Sequence, residues 1–352
     1  MKKWLGRVVS FLFLILLLVG GYVSYETYRF LHTPGSEEPQ DIIISIAPGS
    51  SFDRVARDLK QAGAITDVER FRMLAYAKDA LGRVKAGEFQ INTGWTPEQV
   101  LYQITEGQTV LYRLFLREGL TWWETAKAVE AQGFARYEDF KAVLHDPEFL
   151  REHGIPFANA EGFLFPETYL LRKPRDPLDK QQAYDVASTM VRMFWRKTEP
   201  LWKKDGGPQT PREIDPKALR HLVTLASLVE RETGVPEERG KVAGVFANRL
   251  RLGMLLQCDP TIIYGIGETF SGAIRRSQID DPKNLYNTYQ HPGLPPGPIA
   301  SPGLQALRAA HAPDEHNYLF FVATGIDSGH TFSRTLQEHN RAVQLYRSRI
   351  GR

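Results

Sequence analysis

The chain has 352 residues, more than one typical domain, so two or more folded units are expected. Its 44 Lys and Arg against 41 Asp and Glu leave a net charge of +3, too mild for a nucleic-acid-binding surface, and no basic stripe with interleaved aromatics is present. The single cysteine, Cys258, excludes an intramolecular disulfide framework and a Cys-rich zinc site.

Val8 to Tyr25 carries no charge and is about long enough to span a hydrocarbon core as a slightly short helix. Lys2, Lys3 and Arg7 precede it, which favours a cytoplasmic N-terminus. Trp4, Tyr22, Tyr25 and Tyr28 are spaced like interfacial aromatics, and no Ala-x-Ala cleavage site follows. The expectation is an uncleaved single-pass anchor over 8–25, behind a cytoplasmic tail over 1–7. The rest of the chain would then lie outside the cytoplasm. A polar stretch rich in Pro, Gly and Glu, residues 26–40, reads as a linker.

Asp41–Ile46 reads as a strand closed by the turn at Pro48–Ser51. Ser51 can cap a helix carrying Val55, Ala56 and Leu59, which stops near Gly63. A second helix is predicted over Val68–Leu81, a returning strand over Ala86–Ile91, and a further helix from Thr96-Pro97 with Val100, Leu101 and Ile104 inward. This βααβ order over 41–108 resembles a LysM-type glycan-binding module in architecture only; a packing unit without a ligand reads equally well. A turn of the form Gly-x-Ser/Thr between strand and helix recurs weakly at Gly49–Ser51, Gly94–Thr96 and Gly119–Thr121. The third copy lies in Leu116-Arg117-Glu118-Gly119-Leu120-Thr121.

The most informative helix begins at Asp215-Pro216, a favourable N-cap followed by a proline suited to the first helical position. Leu219, Leu222, Val223 and Ala226 form one apolar stripe, and Glu230 returns to within about 20° of that stripe, whereas Glu232 falls on the opposite face. A carboxylate on a core-facing stripe loses solvation, so its pKa rises and it can keep a proton to donate near neutral pH. The alternative is that Glu230 simply ends the stripe in an ion pair with an arginine such as Arg249.

Around this helix lie further dense motifs. They are Glu161-Gly162-Phe163-Leu164-Phe165-Pro166-Glu167-Thr168-Tyr169, Leu228-Val229-Glu230-Arg231-Glu232-Thr233, Glu238-Arg239, Ala247-Asn248-Arg249-Leu250 and Gln257-Cys258-Asp259-Pro260-Thr261 with Tyr264. Tyr286-Asn287-Thr288-Tyr289, Gly293–Ile299, Pro302-Gly303, Gly329-His330-Thr331-Phe332-Ser333 and Glu338-His339-Asn340 follow. In this order, and over nearly the whole chain, the series resembles the YceG-like family of endolytic murein transglycosylases. Cys258 stands where a small polar residue such as Thr is expected.

The resemblance implies an α+β protein: a single transmembrane helix, the small LysM-like subdomain and a larger mixed α/β catalytic domain over 109–352, with the Glu230 helix packed under strands such as Phe320–Ala323. It implies Glu230 as the catalytic residue, from the Leu/Ile-Val-Glu-x-Glu-Thr motif. It also implies a glycan cleft lined by Glu161, Phe165, Glu167, Tyr169, Asn248, Arg249, Gln257, Asp259, Tyr264, Tyr286, Asn287, Tyr289, His330, Ser333 and Asn340. No cofactor and no metal are implied. The implied partners are peptidoglycan glycan strands, the membrane and peptidoglycan synthases.

Each motif keeps a structural alternative. Asp259 can cap a short helix. Gly293–Pro298 is first a rigid turn. His330 and His339 can be buried and satisfied. Two other function classes remain open: a non-catalytic glycan-binding scaffold, and a metal-dependent hydrolase using His330, Glu338 and His339. The latter lacks a His-Glu-x-x-His motif, and adjacent residues on a helix point apart.

Overall fold

The computed structural model describes residues 2–173, 180–203, 210 and 213–351. Two compact units divide between Tyr112 and Arg113. Met1 of the expected tail lies outside the described residues.

The first unit opens with α1, Lys2–His32, whose segment Phe11–His32 is apolar and long enough to cross a membrane and is almost wholly exposed. The helix outruns the predicted span of 8–25, and residues 26–32 belong to it and not to a linker. Local chemistry explains this. Glu26 Oε2 accepts from Arg29 Nη2 at 3.0 Å and from Arg70 Nη2 at 2.9 Å, and Phe30 is buried in the unit's apolar core beside Ile44, Leu59, Phe71 and Phe89. Residues 33–40 are also held. Gly35 lies so close to the Gly63 and Ala64 backbone that no Cβ fits, and Ser36 N–H donates to the Thr93 carbonyl at 3.0 Å.

The order after α1 is β1 Asp41–Ile46, α2 Phe52–Gln61, α3 Val68–Ala77, β2 Gly87–Asn92 and α4 Pro97–Thr105. β1 and β2 pair antiparallel in full register, Asp41 opposite Asn92 and Ile46 opposite Gly87. α3 ends short of the predicted Leu81. Asp79 turns left-handed at φ 52° and Ala80 N–H bonds back to the Ala75 carbonyl at 2.8 Å, which closes the helix.

The second unit is mostly helical. It contains all but the first residue of β3 Tyr112–Phe115, then α5 Trp122–Ala131, α6 Tyr137–Leu144, α7 Pro147–Glu152, β4 Thr168–Leu171, α8 Lys180–Trp202, α9 Pro216–Glu232 and α10 Arg239–Arg251. α11 Asp259–Ile266, α12 Arg276–Ile279, α13 Leu304–His311, β5 Phe320–Ala323, β6 His330–Ser333 and α14 Leu336–Arg349 complete it. β3 pairs with β4, and β5 with β6 in an antiparallel ribbon covered by α14. The recurrent turn performs the same job three times. Ser51, Thr96 and Thr121 each cap the helix that follows, accepting from Arg54, Gln99 and Glu124 N–H, the latter two within capping boxes.

α9 is the central element. Asp215 caps it by accepting from Lys217 and Ala218 N–H, and Pro216 follows. Leu219 and every residue from Val223 to Val229 are buried, so the helix is enclosed on nearly all sides and not only along one stripe. Its main neighbours are α13, α10 and α11. The expected packing under strands is thus replaced by helix-on-helix packing. The reason is visible in α13, whose Ala306, Leu307, Ala309 and Ala310 give a small, flat apolar face that lets two helices approach closely.

Candidate functional site

At the C-terminal end of α9 the Glu230 side chain is only 6% exposed. Its Oε2 accepts from Gly303 N–H at 2.9 Å, and its Oε1 lies 3.4 Å from Arg239 Nη2. The same Nη2 is 3.4 Å from Glu118 Oε2. The partner cation is therefore Arg239, from the first turn of α10, and not the anticipated Arg249. Burial pushes the Glu230 carboxyl above the usual carboxylate range; the Gly303 N–H opposes this, the Glu118 charge adds to it, and Arg239 and Arg231 oppose it.

Two loops bring these groups together. Gly119 N–H donates to the Ser301 carbonyl at 2.9 Å, and Ser301 N–H donates to the Leu120 carbonyl at 2.7 Å, so the 116–121 turn is stitched to the 299–303 segment. Gly119 holds φ 75°, a conformation suited to glycine, and its carbonyl accepts from Arg231 Nη1 at 2.9 Å. Ile299 N–H is docked on α9 by Ser227 Oγ at 3.0 Å. The proline-rich turn over 293–298 thus delivers a backbone donor, Gly303 N–H, to the buried carboxylate.

Glu232 faces the other side of α9. Burial raises its pKa too, against a hydrogen bond with Cys258. It lines a cavity of about 300 Å³ together with Arg249, Gln257, Asp259, Tyr289 and His339. Four of the predicted cleft residues meet there. Asp259 Oδ1 accepts from Tyr289 Oη at 2.6 Å, and the N-cap of α11 is Cys258, so Asp259 does not act as the cap. Arg249 is largely engaged with the backbone. Its Nε donates to the Leu319 carbonyl at 2.7 Å and its Nη1 to the Leu256 carbonyl at 2.8 Å, with the guanidinium over the Phe320 ring. His339 stacks on Phe320, and burial followed by the Arg249 charge lowers its pKa.

A second cavity, about 270 Å³, opens between α5 and α11 and is lined by Trp123, Glu124, Lys127, Arg231, Tyr264 and Glu268. Tyr264 packs there on Trp123, ring centroids 5.0 Å apart, and also meets Tyr286, outside the lining, at 4.8 Å.

The other predicted residues are placed away from these two cavities or against backbone and side-chain partners. Glu161 is 1% exposed, accepts from Trp122 N–H at 2.9 Å at the start of α5, and is pushed by burial to a pKa of about 8. The Phe165 carbonyl accepts from the buried Tyr169 hydroxyl at 2.5 Å. Glu167 pairs with Lys197 Nζ at 2.8 Å, which holds its pKa below the usual range. Asn248 Nδ2 donates to the His316 and Tyr318 carbonyls at 2.8 and 3.1 Å. The fully buried Asn287 donates to the carbonyls of Gln278, Ile279 and Asp281. His330 binds Glu238 through both its N–H and Nδ1, at 2.8 and 2.7 Å. Ser333 is buried in β6, and Asn340 is exposed on α14. Among the described residues no group of three or more His, Cys, Asp or Glu is placed to hold a metal ion.

Sequence reasoning passed over Glu118, Arg239 and Gly303 as site residues. All three stand inside motifs noted above, but their separations from Glu230 along the chain give no periodic signal that they meet it.

The comparisons with known proteins agree with one another. The curated "Endolytic murein transglycosylase" of Bacillus subtilis (strain 168) is 29% identical over 346 residues, covering 94% of this chain and 91% of that protein. A protein of the same name from Streptococcus pneumoniae serotype 2 is 28% identical over 369 residues, covering 96% of this chain and 64% of the longer relative. The crystal structure of a yceG-like protein from Listeria monocytogenes matches with a TM-score of 0.54 and 26% identity, over 86% of this chain and 99% of that one. The sequence profile of the YceG-like family matches residues 44–345, and the chain belongs to that family.

Proposed function

We propose that the protein is a membrane-anchored peptidoglycan lytic transglycosylase with Glu230 as its general acid and base. The observation that carries this reading is the buried Glu230 carboxyl, raised in pKa yet held by Gly303 N–H and Arg239. The names of the curated relatives support the substrate class.

In this reading Glu230 protonates the oxygen of the β-1,4 bond between N-acetylmuramic acid and N-acetylglucosamine. The resulting carboxylate then takes the proton of the muramic 6-hydroxyl as that oxygen attacks C1. A 1,6-anhydro-muramic end forms and no water is consumed. The substrate supplies its own nucleophile, so the second carboxylate of ordinary glycosidases is not required for attack. Intramolecular attack gains from a high effective molarity, which makes positioning the main task of the cleft. The cavities beside Arg231 and beside Glu232 flank the Glu230 end of α9 and are suited to glycan units. Their tyrosines, Trp123 and amide groups offer ring faces and hydrogen bonds.

The apolar, exposed part of α1 supports the anchor, and Lys2, Lys3 and Arg7 support a cytoplasmic N-terminus. An enzyme held at the outer face of that membrane meets glycan as it is polymerised, so the cut falls in nascent strands, sets their length and brings synthases into reach. The likeness of the first unit to a LysM module rests on its βααβ order, and glycan contact is the role read from it.

The test is mass spectrometry of products from uncrosslinked nascent glycan treated with full-length detergent-solubilised protein, with Glu230→Gln and Glu232→Gln beside the wild type. Anhydro-muramic ends that vanish with Glu230→Gln alone support the reading. Ends heavier by one water identify a hydrolase instead. Loss with Glu232→Gln and not with Glu230→Gln moves the acid to the other face of α9. Normal glycan lengths in a Glu230→Gln strain favour the scaffold.

A further inference from the structure

Arg239 is placed between two carboxylates and equidistant from them, with Nη2 3.4 Å from Glu230 Oε1 and 3.4 Å from Glu118 Oε2. The two acids differ in setting. Glu230 is 6% exposed and Glu118 is 46% exposed, so one is fixed inside and the other stands at the solvent edge. Arg239 itself is buried, and among the described residues its Nε has no hydrogen-bond partner, so its head group is held mainly by the acids it divides. Gly303 joins the pair from the other side. Its N–H binds Glu230 Oε2, and the Glu118 carboxylate lies against its Cα where a Cβ would stand.

We propose that Glu118 is a positioning residue for Glu230: it takes a share of the Arg239 guanidinium and keeps Arg239 from closing into a one-to-one ion pair with the acid. This rests on the reading of Glu230 as the acid given above. A buried carboxylate with a guanidinium of its own ionises readily and gives up its proton. Two carboxylates on one guanidinium carry an excess negative charge, which a retained proton relieves, and the enclosed Glu230 is the one that retains it. The remaining cation near Glu230 is Arg231, whose Nη1 is spent on the Gly119 carbonyl. Next in sequence to Arg239, Glu238 is taken by His330. The exposed member has a second use. As Glu230 ionises during the reaction, Glu118 can swing into solvent and yield all of Arg239 to the new charge.

The experiment is the pH dependence of kcat/KM for the full-length protein in detergent, comparing wild type, Glu118→Gln and Gly303→Ala. Glu118→Gln keeps the shape and removes the charge. Gly303→Ala keeps the charge and drives the Glu118 carboxylate off Arg239; the backbone there has φ −74°, which alanine adopts without strain. In both variants the alkaline limb moves to lower pH by about one unit or more, an activity loss of about tenfold at a fixed pH on that limb. A limb that stays in place, or moves up, in both variants overturns the proposal. A readout independent of turnover separates this from the function reading. The carboxyl of ¹³C-labelled Glu230, identified by its loss in Glu230→Gln, is titrated by NMR without substrate. Titration at lower pH in Glu118→Gln supports the proposal even if the wild type cuts no glycan, which would sink the transglycosylase reading alone. An unchanged titration overturns the proposal even with activity intact.

Discussion

Ser227 and Glu230 stand one turn apart on α9 and hold the same loop. Ser227 Oγ accepts from Ile299 N–H at 3.0 Å, and Glu230 Oε2 accepts from Gly303 N–H at 2.9 Å. Ser227 is fully buried and bonds in turn to the Thr224 carbonyl at 2.7 Å. Ser227→Ala therefore strands a buried backbone donor at a cost of about 1–3 kcal/mol. The unfolding free energy from urea titration should fall by that amount, and activity should fall further because the 299–303 segment loses its registration on Glu230. A full loss of stability with normal turnover would show that Gly303 is placed by other contacts.

Glu230→Gln should fold and lose cleavage. The raised pKa sets the sign of two pH effects. As the proposed acid, Glu230 is competent below its folded pKa, so activity should fall as pH rises through it. Stability follows the same direction. The unfolded carboxyl ionises first, so the contribution of the protonated form is complete below the unfolded value and is lost as pH rises through the folded one. Urea unfolding at acid and alkaline pH should show the glutamine variant gaining on the wild type as pH rises.

Glu161 gives a larger effect of the same sign. Its unfolded value is near 4.5 and its folded value about 8, set by burial first and opposed by the Trp122 N–H. Between these values the folded state keeps a proton that the unfolded chain has released, so stability declines by up to about 1.4 kcal/mol per pH unit. Glu161→Gln should flatten that decline in denaturant titrations run across the window. Parallel slopes in the two proteins would mean that Glu161 is already ionised when folded.

Arg249 tests scaffold against ligand contact. Its guanidinium serves the Leu255, Leu256 and Leu319 carbonyls at 3.2, 2.8 and 2.7 Å, a fork that a lysine cannot reproduce. Arg249→Lys and Arg249→Ala should both destabilise by about 2–4 kcal/mol, as buried acceptors lose their donors. Thermal melts unchanged from wild type, with a raised KM, would instead assign the side chain to glycan.

The local signals were legible because they are short-range. Asp215-Pro216 starts α9, Ser51, Thr96 and Thr121 start their helices, and β1 runs over Asp41–Ile46 as its isoleucine run and the turn after it foretell. Glu230 was legible as an anomaly on an apolar stripe. Its surroundings were not. Gly303 lies 73 residues away, and Glu118 is 121 residues from the arginine it shares. No propensity or period encodes such meetings. The same limit misplaced the ion pair on Arg249, since Arg239 and Arg249 are both basic residues of α10 and only tertiary packing selects between them. Asn287, Asn248 and Glu161 stood out as polar residues in motifs, and packing places them against backbone groups, a use that residue type alone does not distinguish from binding.

Phe30 occupies the core of the first unit from the same helix that carries the apolar run Phe11–Val19, and Glu26, one turn earlier, is clasped by Arg70. Separating the apolar run of α1 from the folded protein is accordingly a question of where the chain is cut. Removal of everything before β1 takes a phenylalanine out of a closed core, a loss of about 3–5 kcal/mol by analogy with core truncations, and leaves Arg70 facing no carboxylate at that point. A start between Gly20 and Tyr25 discards the apolar run Phe11–Val19 and keeps both residues, so the shortest fragment with an intact first unit carries the last turns of α1 as part of its fold.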